Sequence, residues 1–82
     1  SRRARDVAAE SLRTAARQRM LPRLGLGATA PPQSVIQSIA DRFGMDPRAV
    51  AHTLYGQPPA GDTDLVNLAR ELDNIERQVA QS

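Results

Sequence analysis

His52 is the only histidine in a chain of 82 residues that contains no cysteine and no lysine. To ligate a metal or act as a base it needs carboxylates or further histidines close by. Its own helix supplies none at four-residue spacing, so it reads as a structural or surface histidine. Ser11, Ser34 and Ser38 have no partner histidine in their own helices, and no nucleophile motif surrounds them. Gly25-Leu26-Gly27 has two glycines of a phosphate loop but no third glycine, no preceding strand and no lysine, and reads as a helix cap. Without cysteine, neither a disulfide nor a thiolate metal site can form. The expectation is a non-catalytic domain with no cofactor and no metal.

The side chains left to do chemistry are charged, and they are unevenly placed. Residues 1–23 hold seven of the 11 arginines against Asp6 and Glu10, a net +5. Residues 24–60 are balanced, and residues 61–82 carry a net −3, which leaves the whole at +2. A basic first third can pair with the acidic last third of the same domain, or dock a protein partner. It can also approach anionic lipid, where each arginine near the surface contributes about 1 kcal/mol. Arg13 and Arg17 are expected to be exposed on helix 1. With Arg48 and His52 on helix 3 they form the candidate partner-binding set.

The elements that must hold these residues follow from the apolar pattern. Of the apolar residues 13 are alanine, and only Phe43 and Tyr55 are aromatic. Small aliphatics suit closely packed helices better than a sheet. Helix 1 is expected over about 2–24, with Val7, Ala8, Leu12, Ala15, Ala16, Met20 and Leu24 as its apolar stripe. Pro22 should loosen its last turn, and Gly25 should cap it. Helix 2 is expected over 33–43, opened by a Ser34/Gln37 capping box and closed by Gly44. Helix 3 is expected over 47–55, from the Asp46-Pro47 start to Gly56. Helix 4 is expected over 63–80, capped by Asp62. Its Leu65, Leu68, Leu72, Ile75 and Val79 form a seam that Val66 and Ala69 widen. That seam also leaves self-association open. The fold class is all-α: one compact four-helix domain, with no strand and no run of about 20 apolar residues that could span a membrane.

Between helices 2 and 3, Ala40, Gly44 and Val50 have the spacing of a helix-turn-helix corner. If residues 36–55 bound DNA, Arg48, Ala51 and His52 would face the bases. The segment is net neutral, and its reading helix has one arginine. Duplex binding draws on several phosphate contacts, so nucleic acid is the alternative reading and not the leading one.

Three stretches carry a family resemblance. The first is Ser1-Arg2-Arg3-Ala4-Arg5-Asp6, leading into the Ala/Arg/Leu helix that ends Arg23-Leu24-Gly25-Leu26. The second runs from Arg48 through Leu54-Tyr55-Gly56-Gln57-Pro58-Pro59-Ala60. The third is the acidic-capped leucine helix from Asp62 to Val79. Together they resemble the C-terminal tail of an actinobacterial membrane protein family, with mycobacterial members, that carries the domain of unknown function four-three-five-zero. The resemblance implies a piece of a longer membrane protein, following its last span and facing the cytoplasm. Arg2, Arg3 and Arg5 agree with that side, because cytoplasmic flanks of spans are enriched in basic residues. Family genes commonly sit beside a MoxR-type AAA+ ATPase, which implies a chaperone or assembly system at the membrane. The tail is then a candidate docking module for that ATPase.

Overall fold

Proline and glycine mark most of the helix boundaries in this chain. The computed structural model describes residues 1–81. It contains α1 (Arg2–Met20), α2 (Pro32–Phe43), α3 (Pro47–Tyr55) and α4 (Asp62–Ala80), with a single 3-10 turn at Pro22–Leu24. No strand occurs among the described residues.

The Ser1 hydroxyl opens α1 by accepting from the Ala4 N–H at 3.2 Å. The expected helix 1 divides in two at its end. Pro22 brings no N–H to the helical ladder, so the α-helix stops at Met20 and continues as the 3-10 turn. Gly25 follows in the left-handed region, at φ 71°. The Leu26 N–H then reaches back to the Leu21 carbonyl at 3.0 Å and the Gly25 N–H to Pro22 at 3.2 Å, which is a Schellman closure. Gly44 closes α2 in the same region, at φ 64°, with the Met45 N–H on the Ala40 carbonyl at 3.1 Å. Asp46 caps α3 as expected, accepting from the Arg48 N–H at 3.0 Å, with Pro47 first in the helix.

Two expected caps do not form. With Pro32 first in α2, Ser34 already lies inside the first turn, its N–H bonded to the Pro31 carbonyl at 3.0 Å. Gln37 turns to Asp41 instead, at 2.8 Å. In α4 the cap position belongs to Gly61, and Asp62 is the first helical residue. Its carboxylate pairs with Arg5 at 3.6 Å, so the helix starts one residue earlier than the sequence suggests.

The two long helices lie side by side and run parallel. Arg5 meets Asp62 near their beginnings, Arg19 meets Glu76 near their ends, and Arg23 donates to the Ala80 carbonyl beyond. Each pair is offset by 57 residues, so one register holds along the full contact. α2 and α3 pack on each other across the Gly44 turn. α3 also touches both long helices, and α2 touches α4 and the 3-10 turn.

The core joins Ala9, Ala16 and Met20 of α1 to Val35 and Ile39 of α2, Val50 and Leu54 of α3, and Leu68, Leu72, Ile75 and Val79 of α4. The α4 seam is therefore spent within the chain. The α1 stripe is rotated from its expected position. Val7 is 60% exposed and Leu12 40%, while Ala9, Arg13, Ala16 and Met20 face inward. Alanines at the contact let α1 and α4 approach closely, which a Val7/Leu12 stripe would not. Val66, expected to widen the seam, is also outside.

Gly56 tests what closes α3. Its φ of −73° is ordinary, but a Cβ there would collide with the His52 carbonyl oxygen. At Gly44 the added carbon would meet open space, and only the positive φ is strained. Gly44→Ala should therefore cost about 1 kcal/mol, and Gly56→Ala about 2 kcal/mol or more, because the helix end must shift. Urea unfolding of the two variants checks the order.

Candidate functional site

The C-terminal end of α3 leaves carbonyls without helical partners, and arginines from α1 fill that need. Arg13 is only 5% exposed. Its Nε donates to the Thr53 carbonyl at 2.9 Å. Its Nη1 donates to Gly56 at 2.9 Å and Gln57 at 3.2 Å, and its Nη2 to His52 at 3.3 Å. The positive charge thus sits at the negative end of the α3 dipole. Burial lowers the Arg13 pKa, Glu10 raises it and Arg17 lowers it further. Arginine keeps its proton regardless.

Arg17, one turn on, donates to the Leu54 carbonyl at 2.7 Å and lies 4.8 Å from the centre of the Tyr55 ring. Burial pushes the Tyr55 phenol up, and Arg17 pulls it back. Arg5 completes the grip, donating to the Pro59 and Ala60 carbonyls at 3.3 Å each.

Arg13 and Arg17 therefore do not occupy the exposed partner face expected of them. Arg13 is inside, and Arg17 is half-buried against Tyr55. An arginine on an alanine stripe can be buried only where carbonyls match its donors, and α3 presents them. The signal lay in the spacing of Ala9, Arg13, Ala16 and Met20. Arg48 and His52 are where expected: exposed, one turn apart on the outer face of α3. Thr53 beside His52 is buried and donates its hydroxyl to Glu71 of α4 at 3.2 Å.

Beside that face runs a groove. A cleft of about 380 Å³ lies between α3, residues 57–60 and α4, with His52, Pro58, Asp64, Asn67, Leu68 and Glu71 around it and Arg13 at its base. A second hollow of about 250 Å³ adjoins it, lined by Met45, Ala49, Asn74 and Ile75, and shares His52 and Glu71 with the first. Among the described residues no group of three or more His, Asp or Glu side chains is placed to hold a metal ion. The lining sets charged and amide groups beside the apolar surface of Pro58 and Leu68.

The fold and its groove define a small all-α domain in which one basic helix clamps the end of another. Over all 82 residues the chain is 58% identical to a protein of Mycobacterium tuberculosis (strain ATCC 25618 / H37Rv) named "uncharacterized membrane protein Rv3691". The matched part is 22% of that protein, so the chain spans about a fifth of its relative's length. Similarity to part of a mycobacterial membrane protein agrees with the broad resemblance read from the sequence. No described helix is long and apolar enough to cross a membrane. No family model matches the chain, and no solved structure does.

Replacing Arg13 by methionine keeps much of the volume but strands four carbonyl contacts. It should destabilise the domain by about 2–4 kcal/mol, lowering the melting temperature by roughly 10 °C or more. Arg48→Met should leave it within a degree or two, and calorimetry distinguishes them. A second expectation concerns Glu76. The Arg19 hydrogen bond, at 2.8 Å, pulls its pKa below the ordinary 4.5, partly opposed by burial. A carboxylate with a depressed folded pKa contributes stability that is complete above its unfolded value and lost as pH falls through the folded one. The stability gap between the native chain and Glu76→Gln should thus be full above about pH 4.5 and close in stronger acid, as followed by urea titration.

Proposed function

We propose that this chain is a non-catalytic protein-interaction domain, the C-terminal tail of a membrane protein, lying on the cytoplasmic side. Its proposed partner, suggested by the resemblance, is a MoxR-type AAA+ ATPase at the membrane. The observation that carries the proposal is how the arginines are used. Arg5, Arg13, Arg17, Arg19 and Arg23 all bond within the chain. Arg48 is exposed one turn before His52, which itself lines the groove. With most cations of α1 engaged within the chain, the exposed Arg48 and His52 beside the groove are the face this reading assigns to a partner. Arg2 and Arg3 at the tip of α1 are exposed, and anionic-lipid contact is proposed for them alone.

The DNA-binding alternative through residues 36–55 gains nothing here. α3 offers one outward arginine, and the arginines of α1 that would have to meet phosphates are engaged elsewhere.

The test is capture of the purified MoxR-type ATPase by the immobilised 82-residue chain. Wild type should retain it, and the pair Arg48→Glu with His52→Glu should reduce retention about tenfold, with Arg70→Glu as a control that does not. No retention by wild type would sink the ATPase reading.

A further inference from the structure

The carboxylates of residues 61–81 separate into two sets once their partners are named. Asp62 pairs with Arg5, Asp73 with Arg77 and Glu76 with Arg19. Among the described residues no cation pairs with Asp64 or Glu71, and Glu71 accepts only the Thr53 hydroxyl. These two uncommitted acids both line the cleft between α3, residues 57–60 and α4. Seven residues apart, they stand two turns and about 10 Å from one another on one face of α4. Leu68 lies between them, 6% exposed. The groove then continues past Glu71 and His52 to Met45, Ala49 and Ile75. It therefore has an acidic wall, apolar contacts at Leu68 and Pro58, and an open second compartment. The cation at its base, Arg13, turns its donors into the α3 carbonyls.

We propose that this groove binds a basic segment of a partner polypeptide, one with an arginine or lysine beside an apolar residue. The cationic head sits between Asp64 and Glu71, and its aliphatic stem lies along Leu68 and Pro58, as long basic side chains do on apolar surface. The neighbouring apolar side chain enters the compartment at Met45 and Ala49. Asn67 offers amide groups to the segment's backbone. Both carboxylates are exposed at the rim of the groove and draw a cation towards it through solvent. The same charges repel acidic peptides, phosphorylated segments, lipid headgroups and nucleic acid. The inference rests on the docking reading only in taking a polypeptide as ligand.

The experiment follows backbone amide shifts of the 82-residue chain during titration with an end-blocked peptide, Ala-Leu-Arg-Ala-Arg-Ala. A control peptide carries glutamate for both arginines. Saturable shifts are expected at His52, Asn67, Leu68 and Glu71 with the arginine peptide only. The double variant Asp64→Asn, Glu71→Gln should bind it about five- to tenfold more weakly. Its melting temperature should fall by only a few degrees: the amide oxygen introduced by Glu71→Gln would still accept from Thr53, and the loss is that of the Asp64 charge at the positive end of α4. Equal binding of the two peptides, undiminished binding by the double variant, shifts confined to the tip of α1, or no shift at millimolar peptide would each overturn the proposal. If the ATPase is captured while the peptide does not bind, the docking reading stands and this inference falls. If the peptide binds in the groove while the ATPase is not captured, this inference stands and the ATPase reading falls.

Discussion

A guanidinium inside a helical domain is tolerable only when its donors are matched, and the arrangement of this chain follows from matching Arg13. Four carbonyls at the end of α3 accept from it. They can do so only if α1 turns the face holding Ala9, Arg13, Ala16 and Met20 inward, which puts Val7 and Leu12 outside. Gly56 must stay bare, because a side chain there would press the carbonyl that Arg13 needs. The loop after it contains Pro58 and Pro59, which have no N–H and cannot organise a turn through backbone donors. Its carbonyls are held instead by Arg13 from one side and Arg5 from the other. One side chain thus fixes the rotation of a long helix, the termination of a short one and the course of the loop between α3 and α4.

The parallel alignment of α1 and α4 has a separate cause. Neighbouring parallel helices place like ends of their dipoles together, so the alignment needs compensation. Asp62 and Asp64 meet the positive end of α4, and Arg17 and Arg19 lie at the negative end of α1. The cross-helix contacts of Arg5, Arg19 and Arg23 then repeat at one offset. Individually such exposed pairs contribute little. Their effect is on register: a slip of one residue would break all three while leaving the apolar core free to find other partners. Stability comes from Met20, Ile39, Val50, Leu54 and Val79, which are almost fully enclosed.

The boundaries of the elements were legible because they depend on local chemistry. Asp46-Pro47, Gly44 and Gly25 each act within a few residues, and each does what its type predicts. Ser34 and Asp62 misled because a neighbouring proline or glycine took the cap position first. The rotation of α1 was ambiguous in the sequence, since a stripe through Val7 and Leu12 is as regular as one through Ala9 and Arg13, and both reach Ala16 and Met20. Only the presence of α3 carbonyls, 40 residues away in sequence, decides between them. The same non-local contact removed Arg13 and Arg17 from the candidate face. Arg48 and His52 needed only helical spacing from Asp46 and remained on it. The groove was hidden because its walls come from α3, α4 and the loop between them.

Net charge is a poor guide to what such a domain binds, and here the direction is reversed. The chain has a sequence pI of about 10.4, a value that suggests phosphate or lipid as ligand. Yet most of the arginines that produce it have their donors turned to carbonyls and carboxylates of the chain itself. Those left over divide between the tip of α1 (Arg2 and Arg3, which line a hollow with Asp6 and Glu10), α3 (Arg48) and α4 (Arg70). Of the carboxylates that no cation meets, Asp6 belongs to that same α1 hollow, whereas Asp64 and Glu71 share the groove between α3 and α4. Recognition depends on charges that are both unpaired and convergent, because paired charges have already given up their field and scattered ones are screened beyond about 8–10 Å. By that measure the groove proposed for a basic segment is the acidic part of a basic protein's surface.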